Sequence, residues 1–389
     1  MTTTHAAAAR LTQLESFLRQ DPDNAGLLQE AFRAALEAGQ FDAAEFHLVH
    51  ASALQHDAWH WGLNTVHLDL ARHRWAAAEE RASGLRAAQG CPAELRDALD
   101  HAMAFSAFRR GDLAGAAERL DPIVSRAPAS SIPDATQALA LRIWHFGQQF
   151  DKALEWADRR AEAGMLAPEA AGVASLIALD AGDFEASRRL ASASLASGSA
   201  RAEALVAISS LATAARDPRE GQRFAREALL LIPDDGRAHS ALGMAQMLAG
   251  DLPAARSSFE AALRTMAEHV GTWLALGWAA MLMEDLAAAL PAFEQAVKRD
   301  RNFSESHGGL AAIQARLGRR EESLASIERA RRLDGNGLSQ RYAQLVLDGG
   351  GLQGDRDLLP LARRLLVRRP APLGGTFADW LPPEPVDGD

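Results

Sequence analysis

Short turn signatures recur along this chain at nearly constant intervals, and that periodicity leaves few folds open to it. Six are plain: Ala38-Gly39-Gln40-Phe41, Arg110-Gly111-Asp112-Leu113, Phe146-Gly147-Gln148-Gln149, Ala181-Gly182-Asp183-Phe184, Ala249-Gly250-Asp251-Leu252 and Leu317-Gly318-Arg319-Arg320. Degenerate copies at His73, Arg216 and Glu284 fill the gaps. Turn positions then fall at 39, 73, 111, 147, 182, 216, 250, 284 and 318, separated by 34, 38, 36, 35, 34, 34, 34 and 34 residues. Each turn has about thirteen helix-forming residues before it and about fourteen after it, which is one helical hairpin per period. Glycine suits the turn because a helix commonly ends on a residue in the left-handed conformation.

The flanks carry a packing pattern. Leu242-Gly243, Leu276-Gly277 and Leu310-Ala311 stand eight and seven residues before their turns. Five residues after the turn the chain is small again, as at Ala44, Ala78, Ala116, Ser187, Gly221 and Ala255. Nine after come the large Phe259, Phe293 and Ile327, and twelve after come Ala228, Ala262, Ala296 and Ala330. Small residues opposite large ones predict interlocking helix layers. The copy after Gly147 fits this frame only with a one-residue insertion at Asp151-Lys152-Ala153.

With Trp273, Leu276-Gly277, Ala289, Phe293 and Ala296, the chain resembles the tetratricopeptide repeat family, and the copy carrying Leu242-Gly243, Gly250, Ala255, Phe259 and Ala262 is as close. The resemblance covers about residues 10–335 and is strongest from about 202 to 335. It implies an all-α fold: a right-handed superhelical solenoid of about nine to ten antiparallel helix pairs, stacked because one hairpin alone cannot bury its apolar face. It also implies a concave inner surface lined by the first helix of each pair. The expected organisation is a flexible N-terminus over 1–9, an opening helix over 10–24, repeats over 25–337, a degenerate closing helix pair over 338–369 and an acidic Pro-rich tail over 370–389.

Composition narrows the function. The chain is 48% apolar and 24% charged, ample for a core. A single cysteine, Cys91, excludes an internal disulfide and a cysteine-based zinc site within one chain. The opening MTTTHAAAAR has no basic region followed by an apolar run, and no stretch offers about twenty uninterrupted apolar residues. The expectation is a cytoplasmic protein without membrane insertion. Heavy Ala and Arg usage with only two lysines, Lys152 and Lys298, goes with a GC-rich bacterial genome. A net charge of −10 argues against nucleic acid as a partner, although residues 316–369 hold twelve Arg against seven Asp or Glu. No Gly-x-Ser-x-Gly, His-Glu-x-x-His or phosphate-loop pattern occurs, so no enzyme activity and no cofactor are expected.

The candidate binding residues come from helical spacing. Positions 11, 8, 7 and 4 before a turn are expected to pack between repeats, and positions 13, 10, 6 and 3 form another face. By the resemblance, that second face lines the groove. Its residues are His60, His67, His101, Phe105, Phe108, Trp144, Leu176, Met244, Met247, Trp278 and Met281, with Leu141, Leu179 and Leu274 beside them. Aromatic anchors and adaptable methionines suit an apolar or amphipathic polypeptide segment. The alternative for each of these residues is packing against a neighbouring helix. Lys-based clamping of a terminal carboxylate, known in family members that bind heat-shock chaperones, is not expected with two lysines, neither on this face.

Three further features carry alternatives. Six histidines lie within 47–73, and His56/His60 have the helical spacing of metal ligands, but a metal site needs three convergent ligands; a polar surface is the other reading. The tail with Phe377, Trp380, Leu381 and Pro382-Pro383-Glu384-Pro385 is either a linear recognition motif, a segment docking on its own solenoid, or disordered. Residues 361–369, LARRLLVRR, are either a contact for an acidic partner or an amphipathic capping helix. The expected function is a scaffold, adaptor or chaperone that binds another protein or peptide segment in its groove. The alternative is a regulatory or assembly subunit of an enzyme, secretion or envelope machine, working through an outer face, an end or the tail. A histidine-centred metal enzyme is the minor alternative.

Overall fold

The computed structural model describes residues 2–54, 57–198 and 201–348. Among them the regular elements are twenty α-helices, with no strand. The opening helix α1 (Thr2–Leu18) is followed by nine pairs: α2 (Ala25–Glu37) with α3 (Phe41–Ala53), α4 (Ala58–Ala71) with α5 (Trp75–Ala87), α6 (Ala93–Arg109) with α7 (Leu113–Val124), α8 (Asp134–Phe146) with α9 (Phe150–Glu162), α10 (Pro168–Asp180) with α11 (Phe184–Leu195), α12 (Ala202–Ala214) with α13 (Pro218–Leu231), α14 (Gly236–Leu248) with α15 (Leu252–Leu263), α16 (Val270–Leu282) with α17 (Leu286–Arg299), and α18 (Ser304–Arg316) with α19 (Arg320–Leu333). Helix α20 (Leu338–Leu347) ends the described chain. The residues from 349 onward, which include LARRLLVRR and the Trp380 tail, lie outside the described residues, as does His56.

The turn chemistry explains the pairing. Gly39, Gly111, Gly182, Gly250 and Gly318 have φ between 71 and 83°, the left-handed conformation that ends the first helix. In five turns the next residue is an aspartate that caps the second helix: Asp112, Asp183, Asp217, Asp251 and Asp285 each accept the amide of the residue three ahead. One dipeptide thus stops one helix and starts the next. His73, Gln148, Arg216 and Glu284 hold the left-handed conformation without being glycine.

Gln148 corrects the sequence reading. Its φ is 55°, so the turn lies at 148, one residue beyond the expected Gly147. Counted from there, Ala153 falls five residues after the turn and is fully buried, like its counterparts, and no insertion is needed. From Gln148 onward the turns at 182, 216, 250, 284 and 318 are all 34 residues apart.

The first helix begins at Thr2, whereas the sequence reading leaves 1–9 as a flexible segment. The run Ala6 to Ala9 has the highest helix propensity available, and Ala7 is buried.

The chain divides into two compact units, Met1–Ala170 and Ala171–Asp389. In the first, Leu11, Leu14 and Leu18 of α1 join Leu28 and Phe32 of α2, Leu48 of α3 and Trp61 of α4 in one core cluster, with Phe32 edge-on to Trp61 at 6.2 Å. The buried Asp69 carboxylate is held by Arg74 at 2.7 Å and Arg81 at 3.1 Å. In the second unit, Phe259 and Phe293 are completely buried against glycines of first helices, among small residues at Ala255, Ala279, Ala289 and Ala311. This is the large-against-small layering that the flanking residues predict.

Candidate functional site

The first helices of the second unit enclose a cavity of about 270 Å³. Leu176, Leu179 and Asp180 of α10, Val206, Ser210 and Thr213 of α12, and Arg237, Ser240 and Met244 of α14 line it, and Met266 and His269 close one end. Apart from Asp180 these helix residues stand 13, 10, 6 or 3 positions before their turns, because residues three and four apart share one helix face. The wall is mostly aliphatic and thioether, and Met244 at its mouth keeps 40% of its surface exposed.

The charged groups of this cavity neutralise each other. The Arg237 guanidinium meets both carboxylate oxygens of Asp180, at 2.8 and 2.6 Å. His269 shares a hydrogen bond with Thr272 Oγ1 at 2.8 Å, and Thr272 Oγ1 lies 3.3 Å from the Ser240 hydroxyl. Burial first, and then the Arg237 cation, lower the pKa of His269 against the opposing pull of Asp180, which favours a neutral imidazole. No isolated charge faces the cavity, so the surface suits an apolar side chain with a polypeptide backbone beside it.

In the first unit the same face is aromatic and histidine-rich. His60 and His67 lie on α4, with His60 half-buried and His67 exposed; His101, Phe105 and Phe108 lie on α6, all half-buried. His101 Nδ1 is 3.1 Å from the Thr136 hydroxyl. Burial first, and then the neighbouring His67, push His101 down to about 4. His67 is lowered too, by desolvation where its ring meets the protein although the residue keeps an open surface, with a smaller contribution from His60. Phe105 stands edge-on to Trp75, and Phe108 to Phe146. Among the described residues no three His, Cys, Asp or Glu side chains converge as metal ligands.

Several expected groove residues sit elsewhere. Trp144 is 3% exposed and packs edge-on to Trp156 of its own pair, with Lys152 over its ring. The turn at Gln148 explains this, because it puts Trp144 four residues before the turn, at an inter-repeat packing position, and Leu141 at another. Arg142 and His145 take the face positions instead. Met281 is fully buried among Ala312, Ile313 and their neighbours. Trp278 is half-buried, edge-on to Phe293 and Tyr342. Met247 packs beside Phe259 and Ala279. Leu176, itself buried, and Met244 line the cavity. The sequence reading missed Arg237, Asp180 and His269. The 13-before-turn spacing of Arg237 was a signal for the first of these.

Residues 270–303, one full period spanning α16 and α17, match the family model described as tetratricopeptide repeat. The nine helix pairs repeat that same two-helix unit along the described residues, so the chain is similar to tetratricopeptide-repeat proteins in architecture. No curated protein matches the sequence significantly. Among solved structures, a chain of the APC/C hetero-tetramer Cut9-Hcn1 is similar with a TM-score of 0.63 and 12% identity over 89% of this chain. The match spans 66% of that chain, just under two thirds, and at this identity the likeness is one of fold. A tetratricopeptide repeat protein of Parabacteroides merdae matches with a TM-score of 0.44 and 13% identity, covering 65% of this chain and 98% of its own. A thermophilic TPR protein of Thermus thermophilus matches at 0.40 and 19%, covering 46% and 100%. No helix among the described residues is long and apolar enough to cross a membrane.

Proposed function

We propose that this protein is a binding scaffold whose second unit takes an apolar or amphipathic polypeptide segment on its first-helix face, between α10 and α16. The observation that carries this reading is the cavity walled by Leu176, Leu179, Val206, Ala241 and Met244, in which Arg237 and Asp180 neutralise each other. An exposed methionine beside aliphatic walls adapts to varied apolar side chains. A matched ion pair at the rim offers a donor and an acceptor to a peptide backbone without demanding a charge from the ligand. The fold accords with an interaction role, and this reading assigns the protein no chemistry of its own.

The test is affinity capture from the native organism with wild-type protein and a Met244→Glu variant. Met244 is exposed enough for the substitution to leave the fold intact, which circular dichroism checks. The reading requires that a polypeptide partner be captured by the wild type and lost with Met244→Glu. Full retention of every captured partner by the variant contradicts it.

A further inference from the structure

A second surface, in the first unit, departs from the pattern of the other repeats. Phe46 and Val49 on the outer face of α3 are 67% and 63% exposed. They stand seven and ten residues after the turn at Gly39. The residues seven after the next five turns are Glu80, Glu118, Glu155, Arg189 and Arg223, then Ser257, Pro291 and Ala325, and those ten after include Asp121, Asp158, Arg226 and Glu260. Where the next five repeats present charge at the first of these offsets, this repeat presents an aromatic ring, with an aliphatic side chain three residues on. Phe17 of α1 is 44% exposed as well.

Beside Phe46, α1 and α3 flank a groove of about 560 Å³ floored by Leu18 and Leu28. His47 lines it. That side chain is 4% exposed, and neither ring nitrogen has a hydrogen-bond partner. The Glu15 carboxylate is 3.6 Å from His47 Nε2, too far for a hydrogen bond. A buried polar group without a partner is disfavoured unless something else supplies one. Burial, the largest influence on His47, lowers its pKa and favours the neutral ring, which carries one donor and one acceptor. Glu15 and Arg19 line the groove, and Asp23 stands beside it, 3.0 Å from the lining His50.

We infer that the groove between α1 and α3 is a docking site for an amphipathic helix of a partner protein. That helix places an apolar stripe against Phe46, Leu18 and Pro22, basic residues beside Glu15 and Asp23, and a polar side chain on His47. A shallow trough between two helices fits the apolar stripe of a third. Glu15 and Asp23 select the basic flank, and the imidazole supplies a hydrogen-bonding point at the floor. This site is separate from the first-helix cavity of the second unit, and neither reading depends on the other.

The test uses two synthetic amphipathic helical peptides of identical pattern, Leu/Lys and Leu/Glu, titrated by fluorescence anisotropy into the full chain and into Phe46→Glu. Glutamate is the native residue at this position in three later repeats, so the variant is expected to fold. The inference expects the Leu/Lys peptide to bind wild type at least tenfold more tightly than it binds Phe46→Glu, and more tightly than the Leu/Glu peptide binds. It also expects the His47 ring resonances to shift on binding. Equal affinity of wild type and Phe46→Glu overturns it, as does an unmoved His47 resonance. A wild-type dimer that dissociates in Phe46→Glu, seen by sedimentation, assigns the surface to a second copy and overturns it too. Tighter peptide binding by an Arg363→Glu, Arg364→Glu chain assigns the surface to this chain's own basic segment, with the same consequence.

Discussion

Phe293 lies so close to Gly277 that a β-carbon added to the glycine would stand 2.8 Å from the ring edge, and one added to Gly309 of the next first helix would stand 2.5 Å from the same ring. One second-helix phenylalanine therefore sets the approach of two first helices. Gly277→Ala is expected to destabilise the protein by about 1–3 kcal/mol through overpacking. Urea unfolding of the single variant and of Gly277→Ala with Phe293→Leu measures this. The smaller side chain should recover part of the loss, so the pair should be non-additive.

Arg160 is 1% exposed, and its guanidinium donates to the carbonyls of Pro128, Ser130 and Met165 while lying over the Trp156 ring. It fastens the α7–α8 and α9–α10 connections to one point, and burial lowers its pKa because no carboxylate faces it. Arg160→Ala leaves three carbonyls without this donor and opens a void. The expected loss is about 3–5 kcal/mol, read as a drop in the urea midpoint with early proteolysis between residues 125 and 133.

Acid should weaken the fold through its histidines. His101 titrates at about 4 in the folded chain against an ordinary value of 6.5, so between those values the unfolded chain binds the extra proton. Stability from this group is complete above about pH 6.5 and is lost as pH falls toward 4. His269 is lowered in the same direction and adds to the slope. His101→Gln, which can still bond Thr136, should flatten the dependence by on the order of 2 kcal/mol across that window. Thermal melts at pH 7.5, 6, 5 and 4.5 check it.

Arg216 holds φ at 65° where five other turns use glycine. Arg216→Gly should raise stability by a few tenths to about 1 kcal/mol, the relief of left-handed strain less the added entropy of the unfolded chain. A rise in melting temperature measures it. In the opposite direction, Asp251→Ala should cost about 1 kcal/mol by removing the cap on Ala254.

The repeat frame was legible because turn and packing residues recur at fixed offsets, and each recurrence checks the others. It failed by one residue at Gly147, where a glycine adjacent to the turn drew the register away from Gln148, and that shift placed Trp144 and Leu141 on the wrong helix face. Met281 was misread for a different reason. Its spacing is that of the open face, but the following first helix covers it, and a single-helix pattern carries no information about its neighbours. The Arg237–Asp180 pair joins residues 57 apart in sequence, beyond any helical periodicity. Phe46 was readable in principle, as an aromatic residue at an offset where the next five repeats are charged.

Photo-crosslinking in the native cell tests the central claim most directly. A photoreactive amino acid is placed at 244, at the mouth of the first-helix cavity, and in a separate chain at 257, on the exposed face of α15. The account predicts discrete adducts with a polypeptide partner from position 244 and none of that mass from 257. Adducts with that partner from 257 and not from 244 would contradict it, moving the interface of the second unit to its second helices.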